Sequence, residues 1–386
     1  MSKAAEAARI LTTHVGSLPR PKHLLDLMKA RIDGRPAGSA GYSEAVHDAV
    51  RDIVRLQSEN GIDIVTDGEQ GKLGFFTYMR ERLGGFEPRP GSRAPAFAKE
   101  VESFPEYYAD YFGKAMLGSA LAPMSPFVCT APVHYTGHEA VARDIRNLKD
   151  ALHGVEHSGA FLPAAAPSGA GANEYYKTQE EFLHAIAEAM REEYLAIAGA
   201  GLTVQIDDPF LTELFSFTKL DAAEQRKAGE MSVEAINYAL RGIPPEKIRY
   251  HTCYGINEGP RVHDVPIKDI LHLILKVNAG AYSFEAANPR HEHEYHVWES
   301  AKLPEGKKLI PGVITHASNI VEHPELIAER LVRFAKLVGR DNVIAGCDCG
   351  FSSQATYTPE VHPTVIWAKF KALREGARLA SQQLWS

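Results

Sequence analysis

Short apolar runs rich in β-branched and aromatic residues alternate along the chain with longer segments in which apolar positions recur every three or four residues. The longer segments predict amphipathic helices, as over Glu180–Ala198 and Glu325–Leu337. The short runs predict strands at Leu11–Val15, Ile62–Thr66, Phe127–His134, Ala160–Ala166, Thr203–Asp207, Ile248–Cys253, Ala281–Glu285, Ile310–Thr315 and Val343–Gly346. Strands that alternate with helices are typical of a parallel sheet. We therefore expect an α/β fold, and more closely a (β/α)8 TIM barrel.

The predicted strands number nine, one more than such a barrel contains. We assign Phe127–His134 to an excursion from the barrel. Residues 73–126 break the alternation and are rich in aromatic residues, which predicts an insertion after the second strand. Three roles are open for this insertion. It could cover one edge of the barrel, line the pocket for the alkyl donor, or form a subunit contact in a homo-oligomer. Because no second series of strand–helix units is present, we expect a single domain over residues 1–386.

Composition narrows the range of functions. Hydrophobic residues make up 45% and charged residues 24% of the chain, as in ordinary globular proteins. The net charge of −7 argues against a broad nucleic-acid-binding face. No apolar stretch of membrane-spanning length and no secretory signal occur, so we expect a cytoplasmic protein without a membrane partner. Four cysteines are too few for a disulfide scaffold, and their closeness to histidine and acidic residues raises the question of a metal or thiol site.

The strongest candidate site consists of side chains that each lie at or just past the carboxyl end of a predicted strand: His251, Cys253, Glu285 and Cys349. In a TIM barrel, that end of the strands carries the active site. One imidazole, two thiolates and one carboxylate form a plausible ligand set for Zn²⁺. Their origin on three distant strands is typical of a catalytic site. Cys347 competes with Cys349, since alternation puts both on one face of the chain.

Acidic residues at strand ends form a second candidate group. Glu69 follows one predicted strand and Asp207 ends another, and carboxylates there can bind an ammonium group or transfer a proton. Asp208 is better explained as a helix N-cap. Residues 291–296 (HEHEYH) lack the second histidine of the H-E-x-x-H pattern, and we interpret them as the solvated start of a helix.

Several motifs resemble those of one enzyme family and occur in that family's order. They are residues 12–19 (TTHVGSLP), 67–69 (DGE), 205–209 (QIDDP), 251–254 (HTCY), 283–285 (SFE) and 348–350 (DCG). They resemble motifs of the cobalamin-independent methionine synthases over nearly the whole chain. The resemblance is to the single-barrel branch related to the catalytic C-terminal half of that enzyme. This branch also includes the epoxyalkane:coenzyme M transferases.

The resemblance implies a zinc-dependent thiol methyltransferase of methionine biosynthesis, similar to the 5-methyltetrahydropteroyltriglutamate–homocysteine methyltransferases. It implies that Zn²⁺ is held by His251, Cys253, Glu285 and Cys349, which favours Cys349 over Cys347.

The resemblance also implies how an amino-acid thiol is bound. Ser17, with nearby backbone amides, would receive its carboxylate, and Glu69 and Asp207 would hold its ammonium group. His316 is the nearest counterpart of the family's proton-shuttling histidine.

We expect the incoming thiol to bind Zn²⁺, lose its proton and attack an alkyl carbon as a thiolate, while His316 or a carboxylate such as Asp207 protonates the leaving group. The partners are then a small-molecule thiol and an alkyl donor. The family's folate-stacking tryptophan has no counterpart here, so the donor is left open among a folate, a simpler methyl compound, a methylated corrinoid protein and an epoxide. The alternative function is a zinc-dependent epoxide or hydroxyalkyl-thioether carbon–sulfur lyase of the epoxyalkane:coenzyme M transferase type.

Overall fold

The computed structural model describes residues 9–35, 41–89, 97–114, 119–122, 126–255 and 258–386. Its strands in chain order are β1 (Ile64–Thr66), β2 (Leu83–Pro88), β3 (Phe127–Tyr135), β4 (Gly159–Ala165), β5 (Ala172–Asn173), β6 (Thr203–Asp207), β7 (Ile248–His251), β8 (Ala281–Phe284), β9 (Lys308–Ile314) and β10 (Gly346–Cys347). Its α-helices are α1 (Lys22–Ile32), α2 (Tyr42–Glu59), α3 (Phe75–Arg82), α4 (Ala98–Ser103), α5 (Pro105–Lys114), α6 (His138–Ala151), α7 (Gln179–Gly199), α8 (Phe210–Phe217), α9 (Ala222–Leu240), α10 (Ile267–Ile274), α11 (Pro324–Val338) and α12 (Pro363–Leu384). Each strand predicted after the first has an observed counterpart, with ends shifted by a few residues.

A curled sheet of seven parallel strands forms the centre of the fold, in the order β1-β4-β6-β7-β8-β9-β10. Every neighbouring pair in this sheet is parallel. Parallel neighbours need a long crossover connection, and helices supply most of these connections. The carboxyl ends of the strands therefore lie on one side of the sheet, and the loops that follow them share that side.

The segment 11–15, predicted as the first strand, joins the two edges of this sheet. Thr13 forms a parallel bridge to β1, and Thr12 forms one to the stretch just before β10. The pairing consists of single bridges and not of a continuous ladder, so the segment is not a regular strand. Arg249 of β7 adds a link across the interior, because it donates hydrogen bonds to the Thr13 hydroxyl (3.0 Å) and the His14 carbonyl (2.9 Å).

The chain between β1 and β4 leaves the main sheet and contributes to a smaller one. There β2 pairs antiparallel with β3, and β3 pairs parallel with β5. The assignment of Phe127–His134 to an excursion is confirmed, since β3 belongs to this smaller sheet. Tyr78 and Tyr135 both donate hydrogen bonds to the buried Glu193 of α7, which ties the excursion to the outer helices. The described parts of the predicted insertion 73–126 form α3, β2, α4 and α5, while 90–96, 115–118 and 123–125 lie outside the described residues.

The two predicted helices are observed as α7 and α11, and their first turns show why they begin where they do. Thr178 caps α7 by accepting a hydrogen bond from the amide of Glu181. Pro324 takes the first position of α11, where the helix needs no N–H. Within the described ranges, no helix combines the length and the apolar composition needed to span a bilayer.

Gly312 in β9 packs directly against Asp348, the residue before Cys349, and a side chain at position 312 has no room there. A Cβ at this position would lie 2.1 Å from Asp348 Oδ1 and 2.7 Å from the Asp348 amide nitrogen. We expect Gly312→Ala to lower the free energy of unfolding by about 1–3 kcal/mol in urea titrations, because overpacking displaces the neighbouring backbone. Gly159→Ala is the matched control, since its Cβ would meet Ile64 only at 3.7 Å. Equal losses in the two variants would contradict the prediction.

His14, in the segment that joins the sheet edges, is a buried neutral imidazole. Its Nε2 lies 2.8 Å from Gln57 Oε1, and its Nδ1 accepts a hydrogen bond from the Gly16 amide (3.3 Å). Burial lowers the pKa of His14 to about 4 against the opposing effect of the Gln57 hydrogen bond, and the charge of Arg249 adds to the lowering. The folded protein therefore binds a proton at His14 less readily than the unfolded chain does.

The pH dependence of stability tests this arrangement. The contribution of His14 to the free energy of unfolding is complete above pH 6.5 and should decrease as the pH falls towards 4. In that range the histidine binds a proton in the unfolded chain but stays neutral in the folded protein. Between pH 6.5 and about 5 the loss from this group is about 2 kcal/mol. His14→Asn should flatten that dependence in urea titrations run with a chelator, whereas His157→Asn at an exposed position should not. A His14 variant with the wild-type pH dependence would disprove the assignment.

Candidate metal centre

The turns that follow β7 and β10 bring one imidazole and two thiols together. His251 is the last residue of β7, Cys253 lies two residues beyond it, and Cys349 lies two residues beyond β10. One ligand atom from each of these side chains lies within 4.8 Å of the other two. All three residues are buried. The arrangement suits a tetrahedral Zn²⁺ site with three protein ligands and one further position.

The imidazole of His251 is oriented to bind a cation. Its Nδ1 lies 3.2 Å from the hydroxyl of Ser283. Its Nε2 is buried and has no hydrogen-bond partner among the described residues. Burial, with smaller contributions from Arg249 and His316, lowers the pKa of His251 to about 3, so the ring is neutral near pH 7. A buried nitrogen without a partner, beside two thiols, is the observation that fits Zn²⁺ to this site.

The thiol of Cys253 lies beside that of Cys349 in a buried site. The hydrogen bond with Cys349, followed by burial, raises the pKa of Cys253 well above its usual range. A divalent cation would reverse this effect, because it binds thiolates and displaces their protons. Cys347 lies apart, with its Sγ 3.9 Å from the carbonyl of Thr13. The geometry therefore groups Cys349, and not Cys347, with His251 and Cys253.

Glu285, the fourth predicted ligand, follows β8 and lies beside the cluster. Its carboxylate is not part of the group whose ligand atoms lie within 4.8 Å of one another. Its Oε1 accepts a hydrogen bond from the amide of Tyr254 (3.0 Å). Its Oε2 accepts hydrogen bonds from Arg261 (2.9 Å) and Asn288 (2.7 Å). The structure thus brings three of the four predicted ligands together and holds the fourth on protein donors.

His316, the predicted proton-transfer residue, lies in the turn after β9. One of its ring nitrogens and one carboxylate oxygen each of Glu285 and Asp348 lie within 4.8 Å of one another. Neither ring nitrogen has a hydrogen-bond partner in the part of the chain that the structure describes. Burial lowers the pKa of His316 to about 4, against the charge of Asp348. His316 is therefore a neutral imidazole whose nitrogens are both available to a ligand.

The predicted carboxylate-binding residue, Ser17, lies against the turn that carries Cys349. Its hydroxyl accepts a long hydrogen bond from the amide of Ser352 (3.4 Å). A Cβ on Gly350 would lie 2.1 Å from the same hydroxyl oxygen, so only glycine fits there without a shift. The Ser17 hydroxyl thus lies against Gly350, the residue that follows the candidate ligand Cys349, and near the amide of Ser352, three residues beyond that ligand.

Glu69 and Asp207 are two buried acids whose charges interact. Burial and the charge of Glu69 raise the pKa of Asp207 well above its usual range, and Lys72 opposes this effect. Glu69 has a left-handed φ of 56°, a conformation that is uncommon for residues with a side chain and is found at functional sites. Lys72 is engaged by the carbonyl of Pro163 (2.7 Å). The charge of Arg249 also lowers the pKa of Asp207, so a further cation bound beside the two acids would act in the same direction as Lys72 and Arg249.

A buried polar network next to Glu285 was not predicted from the sequence. The interpretation of residues 291–296 as a solvated helix start is wrong for His291 and Glu294, which are 2% and 7% exposed. The two ring nitrogens of His291 lie 2.8 Å from Glu294 and 3.1 Å from Asp264. A polar sequence pattern does not reveal this burial, because Asp264 is 27 residues away in the chain.

Comparison with known proteins agrees with the motifs noted above. The profile of the catalytic domain of cobalamin-independent synthases matches residues 170–366, which is more than half of the chain. A methionine synthase of Sulfolobus acidocaldarius is 26% identical over 88% of this chain and 85% of its own length. A 5-methyltetrahydropteroyltriglutamate–homocysteine methyltransferase of Streptomyces griseus is 24% identical over 97% of this chain and 42% of its own length.

The fold itself has a close counterpart among solved structures. A B12-independent methionine synthase from a Shewanella species, solved with selenomethionine, superposes with a TM-score of 0.71 at 21% identity. The superposition covers 98% of this chain and 99% of that one. It shows that the two chains share an α/β fold with a curled parallel sheet. Together with the profile match, these findings show that the chain belongs to the family of cobalamin-independent synthase catalytic domains.

Proposed function

We propose that the protein transfers a methyl group to the thiol of homocysteine and that it requires Zn²⁺ to do so. The observation that carries the proposal is the buried cluster of His251, Cys253 and Cys349, whose ligand atoms lie within 4.8 Å of one another. The names of the relatives, methionine synthase and homocysteine methyltransferase, support this choice of reaction. A site rich in thiolates is a poor Lewis acid for a carbonyl group but is suited to activating a thiol.

His251, Cys253 and Cys349 would hold the ion, with Glu285 as an additional ligand before substrate enters. Bound Zn²⁺ lowers the pKa of a coordinated thiol and leaves its sulfur nucleophilic. Ser283 contributes by accepting a hydrogen bond from Nδ1 of His251, which leaves the Nε2 lone pair for the ion. The burial of all these side chains keeps bulk water from competing with the substrate thiol.

The remaining predicted residues would bind the amino-acid part of homocysteine. The Ser17 hydroxyl, with nearby backbone amides such as that of Ser352, would receive its carboxylate. Glu69 and Asp207 would hold its ammonium group, because a cation beside them relieves the repulsion by which Glu69 raises the pKa of Asp207. A thiol that lacks an amino group cannot provide this relief, so the pair favours homocysteine over coenzyme M.

Two residues are candidates for the proton that the leaving group needs. Asp207 holds a proton more firmly than an ordinary carboxyl group does, because burial and the charge of Glu69 raise its pKa well above the usual range. An ammonium group bound beside it would favour the carboxylate and release that proton. His316 is a neutral imidazole whose nitrogens have no partner among the described residues, and its N–H can donate to a nearby leaving group.

We further propose that the curled sheet and the segment 11–15 together form a (β/α)8 barrel in one domain over residues 1–386, with the insertion at about 73–126. The parallel bridges from that segment to both sheet edges support this proposal. The cysteines at the ligand positions are free thiols, which supports the cytoplasm as the location, since thiols stay reduced there.

Metal analysis of purified protein tests the ligand assignment. We expect the wild type to contain about one Zn²⁺ per chain and Cys349→Ser to lose most of it, because zinc sites of this kind need their thiolates. Cys347→Ser is the matched control, since it removes a buried thiol outside the cluster. Zinc should also be released as the pH falls, because His251 and both thiols bind it only when deprotonated. Equal zinc loss in the two cysteine variants, or a zinc content that does not depend on pH, would refute the assignment.

Product analysis by mass spectrometry separates the proposal from the lyase alternative. We expect methionine from homocysteine with at least one methyl donor among methyltetrahydropteroyltriglutamate, a simple methyl compound and a methylated corrinoid protein. We expect no thioether from coenzyme M with an epoxide. Glu69→Gln should raise the KM for homocysteine about tenfold or more, because a charged hydrogen bond is lost. This substitution should not change the reaction of 2-mercaptoethanol, which has no amino group. In the product analysis, formation of a thioether from coenzyme M without any methionine would favour the lyase.

A further inference from the structure

Arg261 is a buried cation that bridges two acids beside the thiol cluster. It lies in the loop after β7 and is 3% exposed. Its Nη1 donates to Glu285 Oε2 at 2.9 Å, and its Nε donates to Asp264 Oδ2 at 2.8 Å. Its Nη2 faces His291 Nε2 at 3.4 Å. The forked guanidinium thus binds the proposed additional ligand and a second acid together, which a lysine ammonium cannot do in the same geometry.

The backbone at Arg261 is held in an uncommon conformation by the excursion. Its φ of 57° lies in the left-handed region, which residues with a side chain rarely adopt. The fully buried Glu100 of α4 fixes this turn: it accepts hydrogen bonds from the amides of Arg261 (3.1 Å) and His263 (2.7 Å). Tyr108 of α5 donates to the same carboxylate at 3.3 Å. The segment between β1 and β4 therefore sets the loop that carries Arg261.

The second donor to Glu285 Oε2 is equally well anchored. The side-chain amide of Asn288 lies 2.7 Å from that oxygen and 3.0 Å from Asp348 Oδ2. The Asn288 backbone amide also donates to Asp348, at 2.9 Å. With Arg261 and the Tyr254 amide, these contacts give the Glu285 carboxylate three N–H donors. Protein donors therefore engage both oxygens of that carboxylate.

We infer that Arg261 is a positioning residue that competes with the bound ion for the Glu285 carboxylate, so that the substrate thiol can take the place of that carboxylate on the ion. The inference rests on the proposed function. The excursion would then contribute to the site, since its residue Glu100 fixes the backbone of Arg261.

A purely structural ion pair would have different consequences. If Arg261 competes with the ion for Glu285, its removal frees the carboxylate, which then binds the ion more strongly and obstructs the thiol. If Arg261 only stabilises the fold, its removal leaves the affinity for the ion unchanged or weakens it. The sign of the change in metal affinity therefore distinguishes the two roles.

The test uses Co²⁺ as the probe, because its visible spectrum reports the ligands around it. Dissociation constants for Co²⁺ are measured by chelator competition in the full-length wild type and in Arg261→Met. We expect Arg261→Met to bind Co²⁺ about ten- to a hundredfold more tightly, the range that corresponds to one charge-assisted hydrogen bond. The homocysteine concentration that changes the cobalt spectrum should rise by a similar factor. Arg261→Lys should fall between the two proteins.

Arg82→Met is the matched control. Arg82 is also a buried guanidinium, it donates to Asp144 at 2.6 Å, and it contacts none of the proposed ligands. We expect this variant to be less stable than the wild type but to keep its Co²⁺ affinity and its response to homocysteine. A loss of stability by itself therefore does not mimic the effect of Arg261→Met.

Glu100→Gln keeps the test decisive if Arg261→Met does not fold. It leaves the guanidinium in place and removes the charge that fixes its backbone, so we expect tighter Co²⁺ binding by a smaller factor. The inference is overturned if Arg261→Met binds Co²⁺ as the wild type does or more weakly. If only Glu100→Gln folds, the same result in that variant overturns it. A wild-type protein that binds neither Co²⁺ nor Zn²⁺ refutes the proposed function instead, whatever the variants do.

Discussion

Negative charge concentrated in a buried region is the constraint on which the site depends. The carboxyl ends of the strands hold Glu69, Asp207 and Glu285 together with the thiols of Cys253 and Cys349, all of them buried. A buried anion costs several kcal/mol unless it is paired with a cation or several donors. Burial is the main cause that raises the pKa of Asp207, and it is the second cause, after the hydrogen bond with Cys349, for Cys253. The proposed metal ion and the ammonium group of the substrate would both lower this cost.

The register of the parallel sheet is what brings these groups together. Asp207 of β6 pairs with His251 of β7, and His251 pairs with Ser283 of β8. The candidate ligand His251 thus lies in one row between Asp207, which is proposed to bind substrate, and Ser283, its hydrogen-bond partner. A slip of one residue in any strand would turn its side chain to the other face of the sheet. The apolar side chains that fix the register thus also fix the site. Gly312 shows how tight this packing is, since Asp348 fills the place of its missing Cβ.

Strand–helix alternation made the α/β fold and the placement of β3 predictable, because both follow from local patterns of apolar residues. The convergence of His251, Cys253 and Cys349 could be anticipated for the same reason, since each side chain lies just at or beyond the end of a buried strand. The contacts of Glu285 could not. They depend on Arg261, whose left-handed backbone and whose hydrogen bond to Glu100 join segments that are 161 residues apart in the chain. The burial of His291 was missed for the same physical reason, because Asp264 and Arg261, which contact its Nε2, belong to another loop.

The role of Glu285 follows from the charge of the site. Two thiolates and a neutral imidazole balance a divalent ion, whereas a bound carboxylate would add one negative charge. An incoming thiol gives up its proton more readily near a neutral centre than near an anionic one, because the product of that step is itself an anion. Arg261 balances the charge of Glu285 at a distance of 2.9 Å, so the carboxylate can stay close without making the centre anionic. On this proposal, Arg261 and the excursion that fixes its backbone affect how readily the substrate thiol is activated, although neither Arg261 nor Glu100 is a ligand.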